Sequence, residues 1–306
     1  MSVPLAVPPA AWAEVDHRIG VRTLLSRVVA LCLVELQKLR HDRTELVTRA
    51  IQPMLWLLVF GVTFTRLHTI PTGTVPYLAY LTPGVLAQSA LFVSIFYGIQ
   101  IIWERDAGVL AKLMVTPTPR SALVTGKAFA AGVRGLAQAV VVFAVAALLG
   151  VHLSANPLRL FGVVVAVLLG AAFFCCLSIW IAGLVLSRDR MMGIGQAIMM
   201  PLFFASNALY PVALMPGWLQ AVNHINPLSY QVEALRGLLI GTPATAAAGL
   251  RRPGRRHRDR NRRRLRPPGP PRPLKVLALA VGILPRAVIY LPAPKRKPRT
   301  PSPPLG

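Results

Sequence analysis

Five apolar stretches divide the first 210 residues. They run Ala50–Phe64, Tyr77–Ile102, Gly135–Val151, Leu160–Leu186 and Met191–Leu209, and none contains Asp, Glu, Lys or Arg. Crossing about 30 Å of hydrocarbon takes about 20 helical residues, within a range of about 17–25. The last four stretches reach that range. The first reaches it by borrowing Leu46–Arg49 or Thr65–Leu67. Strands of a membrane barrel would be about 10 residues long with alternating polarity, a pattern not seen here. The expectation is an all-α polytopic membrane protein with five clear transmembrane helices.

Two flanking segments do not read as spans. Over 19–49, Leu24, Leu25, Val28, Leu31, Val34 and Leu39 recur at helical spacing among Arg22, Arg27, Lys38 and Arg40. Such a helix lies in the membrane interface with its basic residues toward phosphate, or packs on the bundle from the cytoplasm. Residues 210–240 are interrupted by proline and polar groups and read as short outer helices dipping onto the bundle. Residues 1–18 read as a disordered N-terminus and show no signal-peptide pattern.

Composition agrees with the pattern in most of the chain and departs from it at one end. Hydrophobic residues make up 54% and charged residues 14%, with mean hydropathy +0.56. A soluble domain carries about a quarter charged residues, so an ordinary soluble protein is excluded. The net charge of +24 is unevenly placed. Residues 1–250 hold 17 Lys and Arg against 9 acids, whereas 251–306 hold 17 against one, together with 13 of the 28 prolines. Between the apolar stretches, Lys and Arg alternate 7, 1, 5, 1, 2, 1 along the chain. Basic residues concentrate on the cytoplasmic side, so the N-terminus is expected inside.

The Arg/Pro-rich run from about residue 246 has two readings. It is a solvated tail that binds anionic lipid or nucleic acid, or the product of a shifted reading frame. The later ALAVGILPRAVIYL is short for a span.

Candidate chemistry is sparse. Cys32, Cys175 and Cys176 have no metal-ligand spacing, and His68, His152 and His224 share none, so no metal site is expected. A nucleotide-binding loop needs G-x-x-x-x-G-K-[ST]. The nearest string, SALVTGKA, has Ser121 and Ala128 at two of its required positions. No catalytic constellation appears. Polar residues within the stretches include Gln88, Ser89, Ser94, Gln100, Gln138, Ser178, Gln196, Ser206 and Asn207. They serve as interhelical hydrogen-bonding groups, or Gln88, Gln138 and Asn207 line a transport path. Arg134 is expected at the inner end of the third span, reaching toward phosphate.

The most informative segment is Trp103–Ala128, WERDAGVLAKLMVTPTPRSALVTGKA. Leu110, Leu113 and Met114 fall on one helical face. Glu104 and Asp106 suit the positive N-terminal end of a short helix, which Pro117 and Pro119 end. This segment resembles the E-R-x-x-G-x-L-x-x-L-x-x-x-P…G-K loop of ABC-2 type permeases, most closely the daunorubicin-resistance type. Pro83-Gly84, Tyr210-Pro211, Met215-Pro216-Gly217-Trp218-Leu219 and Asn226-Pro227-Leu228-Ser229-Tyr230 fall in the family's order. The resemblance covers about residues 20–245.

The resemblance implies a transmembrane domain over 50–245 in a bacterial cytoplasmic membrane. It implies six spans, the sixth here missing or degenerate. It also implies a separate ATPase subunit carrying ATP and Mg, with no cofactor in this chain, and a second permease, alike or different. The substrate would be a small molecule, lipid or glycan moved outward. In that family the loop contributes to the ATPase contact. Glu104, Arg105, Gly108, Leu110, Leu113 and Pro117 would then dock and transmit, and Gly126-Lys127 would close the loop.

Two other functions compete. An ion-driven secondary transporter would place Asp, Glu or His within the membrane, and the five stretches hold none. A membrane-anchored binder of nucleic acid or anionic lipid would act through the basic tail, with nucleic acid the weaker of those partners.

Overall fold

The computed structural model describes residues 43–67, 70–72, 75–108, 120–151, 153, 156–185 and 187–240, with isolated helical positions at 26, 29, 30, 33 and 37. Those isolated positions are helical and exposed. Residues 43–49 of the expected amphipathic helix form the start of a described helix; the rest of it beyond those positions, the 1–18 segment, the 246–306 tail and any sixth span lie outside the described residues.

Helices account for the regular structure, with no strand among the described residues. Helix α1 (Arg43–Leu55) runs through a π-turn (Trp56–Gly61) into α2 (Val62–Leu67). Then come α3 (Tyr77–Asp106), α4 (Arg120–Leu148), α5 (Pro157–Leu184) and α6 (Arg188–Phe204). Two short helices follow, α7 (Gly217–Ile225) and α8 (Pro227–Leu239). Four segments are long and apolar enough to cross a membrane: Thr48–Leu67, Tyr77–Asp106, Val124–Leu148 and Pro157–Leu184.

The fifth apolar stretch departs from expectation. Its helix, α6, stops at Phe204, and residues 205–209 form turns. Its 17 residues of helix span about 26 Å, the short end of the range that crosses a bilayer. The cause is competition for the backbone carbonyls at the end of α6. Asn226 Nδ2 donates to Leu202 O (2.7 Å), Ser206 Oγ to Phe203 O (2.6 Å) and Asn223 Nδ2 to Ala205 O (3.1 Å). Side chains thus satisfy carbonyls that a longer helix would bond internally. Residues 210–240 do fold as short helices on the bundle, with α8 packed against α3 and α5.

Helix α3 is the axis. Of its most apolar 18-residue stretch 89% is buried, against 44% for α5, which is more apolar. The order is what a lipid solvent produces, since an apolar face there needs no protein partner. Around α3 lie α5, α4, α6 and α8. Gly98 sets the closest approach to α5, where a Cβ would lie 2.5 Å from Ser178 Cβ and 2.9 Å from the Cys175 carbonyl. Ser178 Oγ donates across the same contact to Ile95 O (2.7 Å).

Candidate functional site

The expected coupling segment is described at both ends and not in its middle. Leu110, Leu113 and Pro117 lie outside the described residues. Glu104 and Arg105 occupy the last turn of α3, together with Asp106. This corrects the expectation that Glu104 and Asp106 start a new helix. Acids at a helix C-terminus face its negative dipole end, and a cation offsets that cost. Lys127 Nζ lies 2.7 Å from Glu104 Oε1, with both side chains largely buried. Arg105 pairs with Asp106 at 3.2 Å.

Gly108 follows with φ +74° and its amide bonded to Arg105 O (3.1 Å). Only a residue without Cβ takes that left-handed turn at no steric cost, and the chain leaves α3 there.

Gly126 and Lys127, expected to close the loop, lie on its C-terminal side. Both lie inside α4, which begins at Arg120, and both are buried. Lys127 also sits 5.1 Å from the centre of the Tyr97 ring. Arg134 differs from expectation in the same way. It is buried, its guanidinium 4.8 Å from the Tyr97 ring centre, so it does not reach out to phosphate. One tyrosine therefore holds two cations inside the bundle, each gaining cation–π attraction of about 1–2 kcal/mol where water is excluded. The Lys127 charge is met by both the ion pair and the ring.

The three candidate path residues separate. Gln88 and Gln138 line one cavity of about 460 Å³ between α1, α3 and α4, while Asn207 is not part of it. Sequence reasoning missed two further lining residues, Arg49 and Gln52. Gln52 is an amide inside the first apolar stretch, which was the available signal. Arg49 stood at its edge and read as topology alone. Gln138 Nε2 donates to Arg49 O (3.1 Å), tying α4 to α1.

Asn207 belongs to a polar cluster at the opposite end of the bundle. Its carbonyl accepts from Arg236 (2.8 Å) and from the Tyr80 hydroxyl (3.2 Å), and its amide donates to Glu233 Oε1 (3.3 Å). The Arg236 guanidinium lies 3.8 Å over the Tyr80 ring. Burial pushes Glu233 above the usual carboxylate range, with Arg236 and His224 pulling it back less strongly. Burial likewise lowers Arg236, against the opposing pull of Tyr80 and Glu233. Sequence reasoning gave neither Glu233 nor Arg236 a place in a site, because their partners are 26 and 29 residues away along the chain.

No group of His, Cys, Asp and Glu able to hold a metal occurs among the described residues. Among the described residues, the geometry offers an ion pair at the base of a loop, a cavity lined by Gln88 and Gln138, and a hydrogen-bonded cluster at the far end.

Known proteins agree. A transport permease, ycf38, of Cyanophora paradoxa is 29% identical over 205 residues, covering 66% of this chain and 70% of its own. The daunorubicin resistance ABC transporter permease protein DrrB1 of Streptomyces coeruleorubidus is 28% identical, covering 69% of this chain and 74% of its own. Nodulation protein J of Rhizobium meliloti is 27% identical, covering 62% and 72%. The family model described as ABC-2 type transporter matches residues 26–240. Those residues hold every described helix, and the chain is an integral membrane protein that belongs to the ABC-2 type transporter family.

Proposed function

We propose that the chain is the membrane-spanning permease subunit of an ATP-driven exporter in a bacterial cytoplasmic membrane. It moves a drug, lipid or glycan outward, and a separate ATPase subunit holds the ATP and Mg. A second permease subunit, identical or different, completes the pathway. The N-terminus and the Glu104 end of the bundle face the cytoplasm, in line with the alternation of Lys and Arg between the apolar stretches. The fifth apolar stretch and a sixth span complete the crossing in this reading. Drug resistance is named for the Streptomyces relative, and the substrate class here rests on that likeness.

The observation that carries the proposal is the Glu104–Lys127 contact at 2.7 Å. It joins the end of α3 to the start of α4, at the base of the loop between them. A docked ATPase that displaces the loop therefore moves both helices together. Glu104 and Lys127 act as positioning residues behind the loop, and Arg105, Gly108, Leu110, Leu113 and Pro117 present it.

Mass spectrometry of what copurifies in mild detergent tests this, with wild type beside Glu104→Arg. A P-loop ATPase retained by wild type and lost from the variant supports the permease reading. If neither retains one, and a chain with the alternative frame restored past residue 245 also comes down alone, the exporter reading is overturned.

A further inference from the structure

Helix α8 seats on α5 by dropping two side chains into two glycine notches. Leu238 fills the notch at Gly162, where a Cβ would lie 2.8 Å from its Cδ2. Gln231 fills the notch at Gly170, where a Cβ would collide with its carboxamide and lie 2.6 Å from Oε1. Leucine suits such a seat and glutamine does not. Gln231 is fully buried, and neither its Oε1 nor its Nε2 has a hydrogen-bond partner. Asn207 and Arg236 each leave one side-chain atom unbonded as well, but both bond through others.

The surroundings explain the shortfall. Gly170 lies midway along α5, and the face around it carries Ala166, Val167, Ala171 and Phe174, all buried and all apolar. Midway along a candidate span, lipid offers no partner in place of water. Buried polar groups are as a rule paired, and an unpaired one bears the full desolvation of its donor and acceptor. A methionine would fill the same volume without that cost. The seam is therefore held by apolar packing against a penalty that its own sequence introduces. The two helices are also tied down unequally. Arg236 of α8 lies over the Tyr80 ring and, with the Tyr80 hydroxyl, bonds Asn207 O, which holds α8 to α3. Helix α5 is fastened to α3 at Ser178, on the Glu104 side of Gly170. A shift of α5 would hinge there and separate its Pro157 half from α8.

We propose that the α5–α8 seam is a joint with two settings, closed in this structure and parted in a second, and that Gln231 biases it toward the parted one. In the second setting α5 shifts while α8 stays on α3, and the Gln231 amide reaches water. Such small sliding of packed helices is a shear motion. The inference adds a moving part to the permease reading and rests on that reading only for its use, the opening of the outer side.

Hydrogen exchange over residues 227–240 of the full chain in detergent tests this, together with its thermal midpoint. A helix of 13 residues loses protection once its packing face is uncovered. Gln231→Met is expected to slow exchange there about tenfold, the lower end of the cost of an unpaired buried group, and to raise the midpoint by a few degrees. Leu238→Ala, an ordinary large-to-small change in the other notch, should do the reverse on both counts. A side chain with a merely structural role would behave as Leu238 does. Gly170→Ala should speed exchange by crowding the amide. Combining it with Gln231→Ala should recover part of that loss, which keeps the test readable if Gly170→Ala alone does not fold. A lower midpoint or unchanged exchange in Gln231→Met overturns the proposal, and so does a double variant no better than Gly170→Ala. Every reading is taken on the chain alone, so its failure is distinct from a failure to retain an ATPase.

Discussion

The two ends of the bundle are held by opposite means. At the Glu104 end, one ion pair between side chains joins α3 to α4. At the Asn207 end, side chains from α3, α7, α8 and Asn226 between the last two donate to backbone carbonyls at Leu202, Ala205, Asn207 and Leu209. A backbone carbonyl cannot swing away as a rotamer can, and several bonds to one short segment must break together. The Asn207 end is therefore fixed. Among the described residues, the Glu104 end is joined through side chains, an ion pair and the Tyr97 ring, which a competing charge can open. A machine driven from one side needs this asymmetry: a stiff end to pivot on and a loosely joined end to push.

Breaking the single clip should cost most. Glu104→Lys places two ammonium groups at a site where Lys127 is almost fully buried. Removing one partner of such a pair costs about 3–5 kcal/mol. Thermal unfolding in detergent should show this loss, and the double exchange Glu104→Lys with Lys127→Glu should restore most of it. No recovery would mean that the pair does not join the helices.

Next comes Arg236→Met, which removes the stack on Tyr80 and the bond to Asn207 O together. The expected loss is about 2.5–5 kcal/mol, the sum of a charged hydrogen bond and a cation–π contact. Asn207→Leu should cost only about 1 kcal/mol. Arg236 and Tyr80 bond its carbonyl, which any residue supplies. If the order of these two is reversed, the far end is held by the Asn207 side chain and the contrast of the ends weakens.

The smallest effect is on pH dependence. Glu233 has a raised pKa, chiefly through burial, so the folded chain holds its proton more tightly than the unfolded one. Stability is then greatest at low pH and falls as pH rises from the ordinary carboxylate range through the raised value. Glu233→Gln should flatten that slope in unfolding curves taken across the same range. An unchanged slope assigns it to another group.

The apolar spans were legible because a bilayer demands length and lack of charge, both of which can be read locally. Their ends were not. The third stretch appeared to start at Gly135 because Lys127 and Arg134 precede it, yet α4 runs from Arg120. Tyr97 and Glu104, more than 20 residues upstream, accept both cations inside the bundle. The fifth stretch was cut short for the same reason, by Asn223 and Asn226 arriving from beyond it. In the candidate site, Glu104 and Gly108 were visible as a motif, whereas the closing of Lys127 onto Glu104 depends on how two helices meet. Gln88 and Gln138 were visible as polar residues in apolar runs. That they share a cavity and Asn207 does not follows from helix rotation, which periodicity leaves open in a helix buried on nearly all sides.

The π-turn at Trp56–Gly61 gives the first span one surplus residue, since each of its hydrogen bonds reaches a residue further than in an α-helix. All the residues that α1 contributes to the cavity, Thr48 to Pro53, precede this turn. The aromatic contacts of Trp56, Phe60 and Phe64 with Phe203 and Tyr77 begin within it. A span of this kind carries a phase shift of about 100°, one residue's worth of rotation. Deleting a residue here lets the turn relax to ordinary helix and rotates the cavity-lining half against the aromatic half. The π-turn therefore sets the angle at which the cavity-lining half of the first span meets its aromatic half.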